Sequence, residues 1–325
     1  MPLQLDRTII TIASGKKIYV DMACNLAMSF LLWNDPAKIN FNIVTDHPEY
    51  IPSFLQDKIK VIYKTSDELG GGFLSKLQIG NFIETSESIF IDSDCLVYGN
   101  LNPLFDAFKD HDVSVFGYNR TEGIDVGFCK DIKSVIQSQG ISYFPLICGS
   151  IYFARNNEIS RKIFGFAKSM VKDYDSIGLV RLRNQENEEP LMAISMANFN
   201  QVPIGDFGNL KADRMFYQYL SSNVLKGKAR LWSKTLPVSE YSTLMSSEPL
   251  IVHYNGAHAD HFEYLSEVTR LIKTYKNHWN HSVTNLFVFL FITIPGRSKI
   301  LMKQLFRPIY RLAFGYREVK LSNRL

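Results

Sequence analysis

The chain has 325 residues, of which 46% are hydrophobic, 21% charged and 13% aromatic. That balance excludes a disordered chain, a collagen-like fibre and a disulfide scaffold, and the length fits either two domains or one large α/β domain with an appendage. The net charge of +4 is unevenly placed: Gly296 to Leu325 holds eight basic side chains against Glu318 alone, a net +7, which leaves −3 for residues 1 to 295.

Short β-type runs alternate with helical segments through the first half, the pattern of a parallel or mixed sheet covered by helices. RTIITIA (7 to 13) reads as the first strand, and Val20, Ala23, Ala27, Phe30 and Leu31 then recur at helical spacing up to Asn34-Asp35-Pro36. FNIV (41 to 44), KVIY (60 to 63) and SIFI (88 to 91) are further strands, with a helix expected from Phe73 to Ile83. DVSVFGY (112 to 118) and ICGSIYFA (147 to 154) extend the sheet. Ile159 to Lys172 and Glu189 to Asn198 read as helices, the second with Pro190 where a first turn tolerates the missing N–H. LIVHYNG (250 to 256) is a late strand, and Tyr264, Leu265, Val268, Leu271, Ile272, Tyr275 and Trp279 form an apolar helical stripe after it.

Cys24, Cys95, Cys129 and Cys148 show no CxxC spacing, so reduced thiols in a cytosolic setting are expected. The first 15 residues show no basic region leading into an apolar one, and no secretory signal is read. Val283 to Pro295 is interrupted by Thr284, Asn285 and Thr293 and falls short of the roughly 20 apolar residues of a spanning helix.

The chemistry concentrates in SIFIDSDCLVYGNLNPLF (88 to 105), where an apolar strand ends in Asp92-Ser93-Asp94. Ligands of open α/β folds gather at the carboxyl ends of strands, so carboxylates placed there face a site rather than the core. Their oxygens suit the hard cations Mg²⁺ or Mn²⁺, which in turn bridge to phosphate. A solvated acidic turn is the bland alternative.

The order of features resembles the GT-A glycosyltransferases, and within them looks most like glycosyltransferase family 8. Besides FIDSDCLVYGNL (90 to 101), the matching pieces are Ala13-Ser14, IVTD (43 to 46), FLSKLQIGNF (73 to 82), ICGSIYFARN (147 to 156), NEEPLMAISMAN (187 to 198) and HYNGAH (253 to 258). Together they cover roughly residues 7 to 260. The resemblance implies an α/β, Rossmann-like GT-A mixed sheet flanked by helices over residues 1 to 260, with a helical appendage over 261 to 325. It implies that Asp92, Asp94 and His253 hold Mn²⁺ or Mg²⁺ together with the diphosphate of a nucleotide sugar, UDP being favoured. Ala13, Ser14 and Asp46 would meet the nucleoside, Lys76 the sugar or a phosphate, and Gly149 and Ser150 the donor sugar; Ser93, Asn255, Gly256 and His258 would complete the donor pocket. The family's late lysine is replaced by Ala259, leaving His258, Arg214 or Lys211 to take its place.

Sugar transfer needs the leaving diphosphate neutralised, the sugar cation stabilised and the acceptor hydroxyl deprotonated. Glu188 and Glu189 are the acidic candidates, as general base in an inverting enzyme or as a positioning group in a retaining one. The alternative is that they only complement a helix dipole. Asp125 and Asp206 are weaker candidates.

In the tail, Lys299, Lys303, Arg307 and Arg311 fall four apart on one helix face, with Leu301, Met302, Leu305, Phe306, Ile309 and Leu312 elsewhere around it and Pro308 expected to kink or split the helix. This reads as an interfacial element on anionic lipid. A nucleic-acid partner is not expected. The expected protein is a metal-dependent glycosyltransferase, peripheral on the cytoplasmic membrane face, with a glycan or lipid-linked acceptor. A catalytically silent membrane-attached binding module and a sugar nucleotidyltransferase are the alternatives.

Overall fold

The structure is a computed structural model that describes residues 6–124, 127–205, 209–235 and 244–316. Asp125, Asp206 and the tail's Arg317, Lys320 and Arg324 lie outside the described residues.

Six strands form the central sheet: β1 (Arg7–Ala13), β2 (Ile39–Thr45), β3 (Lys60–Tyr63), β4 (Glu87–Ile91), β6 (Val113–Arg120) and β7 (Phe144–Arg155), in the order β3-β2-β1-β4-β7-β6. The first four are parallel; β7 runs antiparallel to β4, and β6 antiparallel to β7. β1, β2 and β4 are near-continuous apolar runs because helices cover both faces. Their side chains alternate across the sheet. Ile9, Ile43 and Ile89 pack towards the helix Lys17–Trp33, while Ile10, Val44 and Phe90 pack towards the helices Glu158–Ser169 and Glu188–Asn198. The mixed sheet flanked by helices, followed by a long C-terminal helix, is the architecture expected from the sequence.

Two smaller sheets complete the body. β5 (Cys95–Val97), β12 (Ile251–His253) and β8 (Lys211–Asp213) form one of them, with β12 in the middle, antiparallel to β5 and parallel to β8. β9 (Tyr219–Asn223), β10 (Lys228–Trp232) and β11 (Ser246–Ser247) form the other. The helix Phe262–Tyr275 contributes Tyr264 and Leu271 to the core that the Lys17–Trp33 helix builds.

Two local expectations change. The segment expected as an α-helix over 73 to 83 is a 3-10 helix, Gly72–Asn81. Its Gly80 lies so close to Phe164 that a methyl there would stand 2.8 Å from the Phe164 Cβ, and this close packing sets its path. In the tail, one continuous helix runs from His281 to Phe314 and through Pro308, with a π-helical turn at Phe289–Thr293 instead of a break at the proline. A widened turn there lies just ahead of Pro295, whose missing N–H removes a helical hydrogen bond.

By length and composition this helix can cross a membrane, unlike the run read from the sequence. The difference is one of length, because the helix continues unbroken for 34 residues, and its polar interruptions face the protein body. Thr284 is buried, Asn285 Oδ1 accepts from Arg270 Nε (3.0 Å) and Asn223 Nδ2 (2.8 Å), and Thr293 Oγ1 lies 3.4 Å from Ser266 Oγ. Gly296 permits close approach to Phe262, where a methyl would overlap the ring. From Leu301 to Tyr316 every residue is exposed.

Candidate active site

β4 ends at Ile91, and Asp92, Ser93 and Asp94 make the tight connection into β5, with the Cys95 N–H donating to the Asp92 carbonyl (3.0 Å). The Asp92 N–H donates to the Ser150 carbonyl of β7 (2.9 Å), so the two strands present Asp92 and Cys148–Ser150 side by side. β7 is bulged here: Val115 pairs with Tyr152 and the next β6 residue, Phe116, with Cys148, leaving Gly149, Ser150 and Ile151 without a β6 partner. Gly149 is required at this point. A methyl on it would stand 2.8 Å from Glu188 Oε1 and from Tyr152 Oη, and 2.9 Å from Glu189 Cγ.

A cleft of about 620 Å³ opens over these strand ends. Lys76, Asp92, Asp94, Glu188, Glu189, His253, Asn255, Gly256 and His258 line it together with Tyr19, Met22, Phe73, Phe128 and Phe216. Lys76, on the 3-10 helix, donates to Asp92 Oδ2 (2.9 Å) and to the Gly149 carbonyl (3.0 Å), and lies 3.1 Å from Glu188 Oε1. Burial works against its charge, but Asp92, Glu188 and Glu189 outweigh it and hold the ammonium well above its usual range. Asp92 is held above the usual carboxylate range by burial, which Lys76 only partly offsets.

Glu188 and Glu189 open their helix behind the Asn187 cap, whose side chain accepts from the Glu189 N–H. The two carboxylates are used differently. Glu189 Oε1 accepts from the Gly149 N–H (2.6 Å) and Oε2 from Asn187 Nδ2 (3.2 Å). Glu188 is 1% exposed, its Oε2 has no hydrogen-bond partner, and burial pushes its carboxyl up to about 7 despite Lys76.

At the other wall, His253 ends β12. Its Nε2 lies 3.1 Å from Asp94 Oδ1 and its Nδ1 2.6 Å from Asp213 Oδ1. Burial opposes an imidazolium here, yet Asp94 and Asp213 raise His253 well above its ordinary range; His253 in turn pulls Asp94 down against the effect of burial. A separation of 3.1 Å suits neighbouring ligands of an octahedral ion with bonds of about 2.1 Å, which place them about 3 Å apart. A carboxylate oxygen suits Mn²⁺ or Mg²⁺ and an imidazole nitrogen favours Mn²⁺ of the two, so this pair fits Mn²⁺ better. Asp92 faces the same cleft with its carboxylate on Lys76. The sets of three donors within 4.8 Å of one another, among the described residues, are Asp94, Cys95 and His253, and Cys148, Asp213 and His253.

The remaining candidates lie at the rim or outside. Asp46 accepts the Gly15 N–H (3.0 Å) and the Ser66 hydroxyl, tying the end of β2 to the loop after β1. Ala13, Ser14, Ser93, Gly149 and Ser150 are not among the residues that line the cleft, although Cys148 beside Gly149 is. Of the possible replacements for a lysine at Ala259, Arg214 is held by Glu263 (2.7 and 3.1 Å) and the Tyr217 carbonyl, and Lys211 by Asp213 and Cys148. His258 lines the cleft, but burial lowers it to about 4 and leaves it neutral at pH 7.

Solved structures that resemble the chain include glycosyltransferases and a putative glucose-1-phosphate thymidylyltransferase of Bacillus anthracis (14% identical, TM-score 0.38, 62% and 87% covered). The galactosyltransferase LgtC, solved in complex with donor and acceptor sugar analogues, is 17% identical with a TM-score of 0.49, covering 77% of this chain and 87% of that one. The glycosyltransferase GlyE of Streptococcus pneumoniae is 14% identical with a TM-score of 0.40 (63% and 46% covered). Mouse xyloside xylosyltransferase 1 is 10% identical with a TM-score of 0.41 (64% and 87% covered). No protein-family model matches the chain, and no curated protein matches it.

Two cleft residues escaped the sequence analysis. Asp213 lies in a three-residue strand with no motif around it, and only its register beside His253 reveals it. Arg183 lines the cleft from the tip of a tight turn closed by the Leu182 N–H to Gln185 carbonyl bond (2.9 Å) and its reciprocal (3.0 Å). Arg183 and Asn184 have φ of 55° and 63°, the signature of a type I′ turn. The Arg-Asn pair was a weak cue, because such turns favour Asn-Gly.

Proposed function

We propose that this chain is a metal-dependent glycosyltransferase that moves a sugar from a nucleotide diphosphate to a glycan or lipid-linked acceptor at the cytoplasmic membrane face. The observation that carries this reading is one cleft at the strand ends that gathers a carboxylate–imidazole pair, Asp94 and His253, a lysine on Asp92, and a buried carboxyl raised to about 7, Glu188. When bound, a divalent ion at Asp94 and His253 supplies positive charge to the diphosphate leaving group.

The chain's own groups do the rest. Lys76 and Arg183 are the cationic side chains that line the cleft, and they take the place of a lysine at Ala259 in meeting the diphosphate. Glu189 holds the Gly149 N–H and so fixes β7 where Ile147 and Cys148 line the cleft beside the sugar. In the reaction the bond from the anomeric carbon to phosphate oxygen breaks and a bond to the acceptor oxygen forms. Glu188 faces that exchange as general base or as a group that steadies the sugar cation, and a carboxyl near 7 suits the first role. Apolar walls from Phe73, Phe128 and Phe216 help exclude water that would otherwise hydrolyse the donor.

A thermal-shift screen of nucleotide sugars with and without Mn²⁺ tests the proposal. One nucleotide sugar is expected to raise the melting temperature only when Mn²⁺ is present, since a ligand at a hundred times its dissociation constant adds about 2.7 kcal/mol. No shift with any UDP-, GDP- or TDP-sugar would sink it.

A further inference from the structure

The His253 ring sits between two carboxylates because of register: in the three-stranded sheet His253 pairs with Cys95, the residue after Asp94, on one side and with Asp213 on the other. Asp94 is reached through Nε2 and Asp213 through Nδ1. Asp213 is itself buried, and its second oxygen takes the Lys211 ammonium at 2.6 Å. The same ammonium stands 2.8 Å from Cys148 Sγ. Cys148, Asp213 and His253 make a second donor set, with ligand atoms within 4.8 Å of one another, of the thiolate, carboxylate and imidazole kind that zinc favours. The Lys211 ammonium thus contacts two of these three donors.

We propose that Asp213 is a positioning residue that keeps the His253 proton on Nδ1 and so presents Nε2 to a divalent ion beside Asp94, while the Lys211 ammonium closes the second donor set to thiol-seeking metals. The inference rests on the metal-dependent reading above. Histidine ligands generally donate their other ring N–H to a carboxylate, and removing that partner weakens metal binding 10- to 100-fold. Lys211 adds selectivity: a compact, fixed charge between sulfur and carboxylate leaves the ring a single open nitrogen.

Calorimetric titration of the full chain with MnCl₂ and optical titration with CoCl₂ test both halves. Asp213→Ala is expected to weaken Mn²⁺ binding 10- to 100-fold, and Asp213→Asn, isosteric and still able to accept from Nδ1–H, to restore it to within a few-fold of wild type. Lys211→Met is expected to gain a cobalt-thiolate absorption absent from the wild type and lost again in Lys211→Met with Cys148→Ser. Unchanged affinity in Asp213→Ala, or an Asp213→Asn variant as weak as the alanine, overturns the positioning role. A Lys211→Met protein without the sulfur band overturns the closure. A wild type that binds no Mn²⁺ at all overturns the metal-dependent reading itself, and this inference with it.

Discussion

Burial lifts the Glu188 carboxyl from 4.5 to about 7, and a raised carboxyl ties stability to pH in one direction. The folded state binds more protons than the unfolded one between those values, so Glu188 contributes stability below about pH 4.5 that is lost as pH rises through 7. Relative to Glu188→Gln, the wild type should lose on the order of 3 kcal/mol between pH 4.5 and pH 8, measured by denaturant titration across that range. A constant gap between the two proteins would remove Glu188 from the buried, raised state described. Glu188→Gln should also cut turnover at saturating donor by roughly 100-fold or more. At this scale the sequence was informative for charged side chains near strand ends and helix starts: Asp92, Asp94, His253, Lys76, Glu188 and Glu189 line one cleft, while the small residues Ala13, Ser14 and Ser150 do not. It was silent on Asp213, whose position depends on strand register, and ambiguous on Asp46, whose carboxylate is taken by Gly15 and Ser66.

Among elements, strands with apolar runs were legible to within a residue or three at each end, because helices bury both of their faces. Of the three-residue strands, β12 was legible within LIVHYNG, whereas β5 and β8 were not, since so short a run carries no period of its own and exists only through its neighbours. The Leu182–Gln185 turn belongs to the same class. An arginine in left-handed backbone is uncommon and costs of order 1 kcal/mol, a strain retained here at the cleft. Arg183→Gly should therefore raise the melting temperature slightly while weakening nucleoside diphosphate binding roughly tenfold, the worth of one charged hydrogen bond. Paired calorimetry and thermal denaturation decide it: stability and affinity that fall together would mean that Arg183 supports the turn and not the ligand.

For the whole molecule, charge and shape divide at the same place. The first half of the His281–Phe314 helix docks through Thr284, Asn285, Val288 and Gly296, and the second half leaves Leu301, Leu305, Phe306, Ile309 and Leu312 exposed among Lys299, Lys303, Arg307 and Arg311. Such a surface suits anionic lipid, where each basic residue adds about 1 kcal/mol. Full-length protein should float with vesicles containing phosphatidylserine and be released by high salt, and a chain ending at residue 280 should stay unbound. Equal flotation of the short chain would contradict this role, and retention through both salt and alkaline wash would make the helix a span rather than a surface element. The sequence revealed both the basic face and the apolar residues around it, but not that Thr284, Asn285 and Thr293 turn towards the body.

The small sheet β5-β12-β8 also bears on the timing of synthesis. It draws Asp94, Asp213 and His253 from segments far apart in the chain, so this carboxylate–imidazole–carboxylate row cannot assemble until the ribosome has released nearly all of the cleft. At roughly 5–20 residues per second, Asp94 emerges about 8–30 s before His253. A nascent chain can form the parallel half of the central sheet in that interval and still hold no working site. Completion of the cleft would then mark the end of folding, and a product truncated before His253 would lack one wall of it.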